Sequence, residues 1–339
     1  MASALTPRSQ RLKQHLETWL LHVWYGGKHR QQWGWYVLLP LTALYCVLSA
    51  LQRWRNQRRQ IHHGVPVIVV GNITVGGTGK TPLVIALVEI LRNAGFKPAV
   101  VSRGFGSRGK TGAVQVTDAA STVGDEPLLI VQRTHVPLFV NRQRNQAIAA
   151  LCEQHPECDV IISDDGLQHY RMGRDLEIAL VDGTRRFGNG CCLPAGPLRE
   201  PISRLQQCDF TLINGETMRI QGQVAVRLSD EQPQALTQFA GQTVHVVTGI
   251  GNPQRFTALL AGFGIHTQLH AYPDHYAFTG EELHFADALP IFMTEKDAVK
   301  CRTLALPTVA LTCWYVPIVA ILDEDFTSAL LTRLQADKD

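Results

Sequence analysis

Thr74-Val75-Gly76-Gly77-Thr78-Gly79-Lys80-Thr81 brings three glycines, a lysine and a terminal hydroxyl into one short stretch. The apolar run Val67-Ile68-Val69-Val70 precedes it, and a segment of helical character, Pro82 to Leu91, follows it. Strand, glycine loop, lysine, hydroxyl and helix form the order that a phosphate cradle requires. The glycines let backbone N–H groups approach and point at phosphate oxygens, and the helix start adds the positive end of its dipole. Lys80 would reach the β- and γ-phosphates as a point charge, and Thr81 would offer a hydroxyl to Mg²⁺. Thr74 stands where the usual pattern has its first glycine. The stretch is expected to bind a nucleoside triphosphate through Thr74, Val75, Gly76, Gly77, Thr78, Gly79, Lys80 and Thr81.

Three more clusters carry groups that could act on a bound triphosphate. After Val160-Ile161-Ile162 comes Ser163-Asp164-Asp165-Gly166-Leu167-Gln168-His169. An acidic residue at the end of an apolar strand is the expected second partner of Mg²⁺ in a P-loop protein, which marks Asp164 and Asp165. After Pro98–Val101, Arg103 is flanked by glycine in Ser102-Arg103-Gly104-Phe105-Gly106 and suits an anionic ligand. Gly124-Asp125-Glu126-Pro127 places two carboxylates before a helix, where the dipole favours their ionised forms. Strand-end Asp and Arg often do no more than cap turns, but beside a P-loop these clusters read as one site.

The elements that must position these residues alternate. Short apolar runs at Val67–Val70, Pro98–Val101, Val136–Val140, Val160–Ile162, Ile178–Val181 and Phe210–Ile213 are separated in several places by helical stretches such as Gln143 to Gln154. Near-continuous apolar strands alternating with helices imply an α/β fold with a parallel sheet covered on both faces. Ligands on such sheets sit at the carboxyl ends of strands. Residues 182–190 and 193–201 are dense in Gly, Pro and Arg and read as a shaped loop, either structural or functional. From Gly222 the pattern changes, and Val244–Val247 followed by Gly249-Ile250-Gly251-Asn252-Pro253 opens a second strand–loop–helix unit. Gln254 stands where a dinucleotide fingerprint needs its third glycine, so this loop is expected to be scaffold. Lys296-Asp297 resembles a purine-reading pair, with a salt-bridged turn as the plainer reading. The expected organisation is an N-terminal appendage (1–60), a P-loop core (61–221) and linker strands with a second α/β lobe (222–339).

The appendage carries much of the basic charge, with Arg8, Arg11, Lys13, Lys28, Arg30, Arg53, Arg55, Arg58 and Arg59. Between them, Gln31 to Gln52 has no charged residue, and Trp33, Trp35 and Tyr36 sit at one end like an aromatic belt. The length suffices to cross a bilayer, for which about 20 residues are needed. Both flanks are basic, so the positive-inside rule selects no orientation. A shallow insertion bent at Pro40 and a full span both stay open. Leu12, Leu16, Trp19, Leu20, Val23 and Trp24 follow a helical period, suiting either a membrane-surface helix or one docked on the body.

At 339 residues the chain has room for two domains of about 150 residues each plus the appendage. Apolar residues at 45% against 18% charged exclude a disordered chain. A net charge of +3 gives no indication of a nucleic-acid partner. The eight cysteines contain no CxxC pair and are expected to be reduced thiols, neither a zinc site nor a disulfide framework.

Taken in order, GNITVGGTGKTP (71–82), SRGFG (102–106), GDEP (124–127), DDGLQH (164–169), RRFGNG (185–190), LPAGPLREP (193–201), DHYAF (274–278) and MTEKDAVK (293–300) closely resemble the tetraacyldisaccharide 4′-kinase family, the lipid A 4′-kinases of Gram-negative bacteria. The resemblance spans nearly the whole chain, and DDGLQH and LPAGPLREP are more specific than the P-loop. It implies two α/β/α lobes joined by a two-stranded linker, and transfer of phosphate from ATP, with Mg²⁺, to the 4′-hydroxyl of a tetraacyldisaccharide 1-phosphate. It further implies the inner membrane as partner, with the catalytic body on its cytoplasmic face and the chain acting as a monomer. Asp125 is implied as the base and His275 as its assistant, while Arg103, Glu126, Arg144, Gln168 and His169 are assigned to the acceptor. Phe105 stands where the family often has Tyr, so any hydroxyl contact from that ring is lost. A sugar hydroxyl needs a base within reach, and an Asp poised by a His can take its proton. Because the two residues fall in different lobes, their pairing is expected only on lobe closure.

The competing reading is a membrane-tethered P-loop ATPase switch of the partition type. Such proteins carry a lysine immediately before the paired glycines, where this chain has Val75. No LSGGQ-like segment suggests a transporter ATPase subunit.

Overall fold

The first lobe is built on β1 (Val67–Gly71), β2 (Pro98–Ser102), β3 (Gly112–Ala113), β4 (Leu138–Val140), β5 (Val160–Ser163), β6 (Leu176–Asp182), β7 (Phe210–Asn214) and β8 (Met218–Gln221). The second is built on β9 (Val224–Arg227), β10 (Pro233–Ala235), β11 (Thr243–Thr248), β12 (His266–Ala271), β13 (Ile291–Thr294) and β14 (Cys313–Val316), and β15 (Val319–Leu322) follows. The helices are α1 (19–25), α2 (Trp33–Gln57), α3 (Lys80–Asn93), α4 (Ala120–Val123), α5 (Asp125–Thr134), α6 (Arg144–Gln154), α7 (Pro253–Ala261), α8 (Glu295–Cys301) and α9 (Glu324–Ala336). This computed structural model describes residues 19–26, 33–104, 109, 111–302, 304 and 312–336. Arg8, Arg11, Leu12, Lys13, Leu16, Lys28, Arg30 and Phe105 lie outside the described residues.

All six apolar runs read as strands fall in the first sheet, ordered β15-β8-β7-β6-β1-β5-β2-β4-β3. From β8 to β4 the pairings are parallel, and β3 and β15 add antiparallel edges. Both faces of β1 are buried, which is why its sequence shows no polar alternation. Ile68 and Val70 pack with Leu83, Leu87 and Leu91 of α3 and Leu128 of α5, while Val67 and Val69 pack with Ala147, Ile148 and Leu151 of α6. The sheet is the middle of three layers.

The second sheet runs β10-β9-β14-β13-β11-β12, with β12, β11, β13 and β14 parallel. Phe256 and Leu260 of α7 cover one face, and Ala298 and Cys301 of α8 lie in the cluster on the other. The lobes are joined by two antiparallel ribbons, β8 with β15 and β9 with β14, so two strands run from one sheet into the other. Gly222 sits at this joint, where an added Cβ would lie 2.9 Å from Val316 Cγ1. The C-terminus departs from the expected division at residue 222. β15 returns to the first sheet, and Phe326, Leu330 and Leu334 of α9 are buried in the first lobe's core. The second lobe is thus an excursion out of the first.

Pro40 is accommodated within α2, and the helix has two unlike faces. Tyr45 and Cys46 pack on the first lobe's core, Thr42 is buried, and Tyr45 donates to Arg199 O at 2.9 Å. Val37, Leu41, Leu44, Leu48 and Leu51 lie on the other side and are exposed. α1 is docked on the body through Trp24, whose indole donates to Pro194 O at 3.0 Å, and through fully buried Val23. All eight cysteines are free thiols.

Candidate active site

β1 ends at Gly71, and α3 begins at Lys80, so the glycine loop connects a buried strand to a helix N-terminus. Gly76 and Gly79 have φ of 108° and 101°, a left-handed region that disfavours a side chain. A Cβ at Gly79 would also lie 2.7 Å from Asn214 Nδ2, the group that donates to Thr78 O at 2.9 Å. Lys80 Nζ donates to Asn72 Oδ1 at 3.1 Å and lies 3.5 Å from Asp165 Oδ1. The Gly/Pro-rich loop backs this cradle, since Val75 N donates to Pro197 O at 2.8 Å.

At the end of β5, Asp164 is buried, and its Oδ2 accepts from Ser102 Oγ at 3.2 Å. Its Oδ1 is buried with no hydrogen-bond partner among the described residues. Burial, then the charges of Glu126 and Asp165, push this carboxyl well above the usual range. Asp165, with φ of 48°, turns toward Lys80 and Arg199. Burial acts to raise its carboxyl, but Lys80 and Arg199 prevail and hold it at about 2. One oxygen without a donor and a strongly ionised neighbour form an oxygen set suited to a hard divalent cation.

The residues assigned to the acceptor divide into two groups. Glu126 lines the cleft and accepts from Lys296 Nζ at 2.9 Å. Arg103 is exposed at the end of β2. His169 is part-buried, and burial, with Arg144 and then Arg103, pushes it down to about 4, so it is neutral. Arg144 departs from the expectation. It is 2% exposed, and its guanidinium donates to Asp164 O at 2.8 Å and Asn141 O at 3.0 Å, so it braces the 164–165 turn from behind. Gln168 is also a brace, donating to Asn72 O at 3.1 Å and to Glu200 at 2.9 Å.

Asp125 opens α5 after Gly124, and His275 stands in the second lobe with φ of 60°. His275 Nδ1 donates to Asp125 Oδ1 at 2.9 Å, with Oδ2 at 3.1 Å. The expectation that this pair waits for closure is therefore not met; the two lobes already touch here. Lys296 Nζ lies 3.8 Å from Asp125 Oδ2. Burial raises the Asp125 carboxyl, but the His275 hydrogen bond and Lys296 outweigh it and hold the group below its ordinary value. Burial lowers His275, and the hydrogen bond to Asp125 reverses this and raises it.

The P-loop, Glu126, Asp165 and Arg199 of the first lobe line one cleft of about 410 Å³ with Ile250–Asn252, Arg255, His275 and Lys296 of the second. The 249–253 loop is therefore more than the scaffold expected. A Cβ on Gly251 would lie 3.7 Å from Gly77 N, so the second lobe's loop sits over the phosphate cradle. The purine-reading alternative for Lys296-Asp297 is also not met. Asp297 is fully buried and accepts from Thr248 Oγ1 at 2.7 Å and from Gly249 N at 3.2 Å. Asn72, Arg199 and Arg255 carry no site assignment from the sequence, and Lys296 carries only the purine-reading one. Asn72 had a local mark in its place between strand and P-loop, and Arg199 in the 193–201 motif.

A family model described as LpxK, tetraacyldisaccharide-1-P 4′-kinase, matches residues 34–335. A tetraacyldisaccharide 4′-kinase of Methylobacillus flagellatus is 44% identical, over 95% of this chain and 97% of that one. One of Stenotrophomonas maltophilia is 47% identical over 92% and 95%. The fold is similar to a crystal structure of LpxK from Aquifex aeolicus in complex with ATP, with a TM-score of 0.73 at 23% identity, covering 88% of this chain and 99% of that one. With a P-loop and the imidazole of a carboxylate–imidazole pair lining one cleft, and kinship along nearly its whole length, the chain belongs to the tetraacyldisaccharide-1-phosphate 4′-kinase family.

Proposed function

We propose that this chain transfers the γ-phosphoryl group of ATP to the 4′-hydroxyl of a tetraacyldisaccharide 1-phosphate, with Asp125 as the base. The observation that carries this reading is the convergence on one cleft between the lobes of Lys80 and of His275, which is hydrogen-bonded to the buried Asp125. Backbone amides of residues 75–81 hold the triphosphate, and Lys80 neutralises charge on its β- and γ-phosphates. Thr81, Asp164 and Asp165 would hold Mg²⁺, which shields that charge further. The 4′-hydroxyl oxygen attacks phosphorus, the bond to the β-phosphate oxygen breaks, and the hydroxyl proton passes to Asp125. His275 keeps the Asp125 carboxylate oriented and ionised until then.

Arg103, Glu126 and His169 face the acceptor in this reading, while Gln168 and Arg144 hold the turns behind them. The exposed apolar face of α2 rests on the cytoplasmic face of the inner membrane, where the lipid acceptor is found, and the chain works as a monomer. A docked helix with one apolar face out supports lying along the surface over crossing it. Incubation with γ-labelled ATP and the disaccharide 1-phosphate lipid is expected to label the lipid. Release of labelled phosphate with no labelled lipid would favour the ATPase switch instead.

A further inference from the structure

The two seams between the lobes differ in tightness. Along α5 and α8, His275 meets Asp125 at 2.9 Å, Lys296 meets Glu126 at 2.9 Å, and Arg133 meets both Glu295 oxygens at 2.9 Å. On the other side of the cleft, Arg185 reaches Gly251 O only at 3.5 Å, and Arg255 Nη1 lies 3.7 Å from Asp182 Oδ2. Asp182 is 4% exposed and ends β6. Its Oδ1 accepts from Thr184 N at 2.9 Å and Arg185 N at 3.0 Å. Its Oδ2 is buried and has no hydrogen-bond partner among the described residues.

A buried carboxylate oxygen left without a donor is costly, and native structures keep few of them. Arg255 is the cation placed to satisfy this one. It stands in the first turn of α7, across the cleft, and lines the space over the P-loop. Movement of about 1 Å at this seam would bring its guanidinium to a charge-assisted hydrogen bond. The same movement would lower the 250–252 loop onto the amides of the phosphate cradle. It would also neutralise a carboxylate beside a site for a polyanion. In such a movement the tight seam would act as the pivot and the slack seam as the side that shuts.

We propose that Arg255 and Asp182, assisted by Arg185, are positioning residues that latch the second lobe over a P-loop-bound nucleoside triphosphate. This rests on the kinase reading given above. The test uses the full chain with Arg255→Gln, Asp182→Asn and the double variant; Asn keeps the Oδ1 acceptor that holds the 182–185 turn. Dissociation of a fluorescent ATP analogue is expected to speed up about tenfold in each single variant, with the double no faster than either, because parts of one unit are non-additive. Hydrogen exchange across residues 250–260 is expected to slow on ATP addition in the parent and not in Arg255→Gln. A thermal melt within about 2 °C of the parent establishes that the fold is retained. Unchanged dissociation with unchanged exchange, or effects of the two substitutions that multiply, would overturn the latch. If Asp182→Asn melts early, the exchange measurement on Arg255→Gln decides alone. Failure of the parent to label the lipid would overturn the kinase reading while leaving the exchange result interpretable.

Discussion

At the scale of single residues, the site is organised by charge held at fixed distance. Lys80 contributes little to the core but supplies a cation that grows more valuable as charge builds on the γ-phosphate. Lys80→Ala is expected to cut turnover at least about a hundredfold while the melt is unchanged, as loss of one electrostatic donor does elsewhere. Activity near that of the parent would show that the glycine loop is not the working cradle. The Asp125–His275 pair makes a pH prediction whose sign follows from the shifts. The Asp125 carboxyl is held below its ordinary 3.8, so its contribution is present above that value and is lost as the pH falls through the depressed one. His275 is raised above its ordinary 6.5, so its contribution is complete below 6.5 and is lost as the pH rises through the raised value. kcat/KM is therefore expected to fall on the alkaline side with a midpoint above 6.5, and His275→Gln should abolish that limb. An unchanged alkaline limb in the variant would assign it to another group. Asp125→Asn combined with His275→Ala should cost far less than the product of the single losses. Lys80 and Asp125 were legible as candidates because local sequence carries their chemistry, glycines before a lysine and carboxylates before a helix, whereas the base role of Asp125 and the part of His275 came only with the family resemblance. Arg255 and Asp182 were not, because nothing in either neighbourhood states that the two lie 3.7 Å apart.

Among the elements, α2 was legible in length and composition but not in its sidedness. Thr42, Tyr45 and Cys46 recur at helical spacing on the docked side, and Leu41, Leu44, Leu48 and Leu51 on the other, yet both sets are uncharged. Hydropathy alone cannot separate an apolar face docked on protein from one left exposed. The contacts also change what a truncation would report. Thr42 Oγ1 accepts from Ala195 N at 3.0 Å, and Tyr45 supports Arg199 O, so removing residues 1 to 60 would strip supports from the loop behind the P-loop. Point changes on the outer face are cleaner. Leu44→Gln with Leu48→Gln, at 55% and 56% exposure, should leave the melt in place. Each leucine is worth about 1.5–3 kcal/mol when fully buried, so co-sedimentation with anionic vesicles should weaken about tenfold or more. Equal partitioning of the variant would show that this face does not meet the bilayer.

For the whole molecule, the parallel α/β class was legible because six apolar runs, separated in several places by helical stretches, leave few alternatives, whereas the path of the C-terminus was not. Val319–Leu322 is a short run whose partner, β8, lies nearly a hundred residues earlier in the chain, and no local residue names it. The consequence is mechanical. With β15 and α9 in the first lobe, the second lobe is tethered at both ends through the joint at Gly222, so it can rock but not swing free. Stability follows the same topology. Leu330 is fully buried, in a cluster with Leu83, Leu87 and Met218, all of the first lobe. Leu330→Ala should cost about 2–5 kcal/mol, the range for a leucine removed from a core. Its effect should appear as faster hydrogen exchange in β7 and β1 at denaturant concentrations where β11 and β13 stay protected. Were α9 part of the second lobe, as a division at residue 222 requires, the order would reverse and β11 would open first. Exchange measured strand by strand separates the two, because the variant and the parent differ by one side chain and the two sheets share only the paired ribbons.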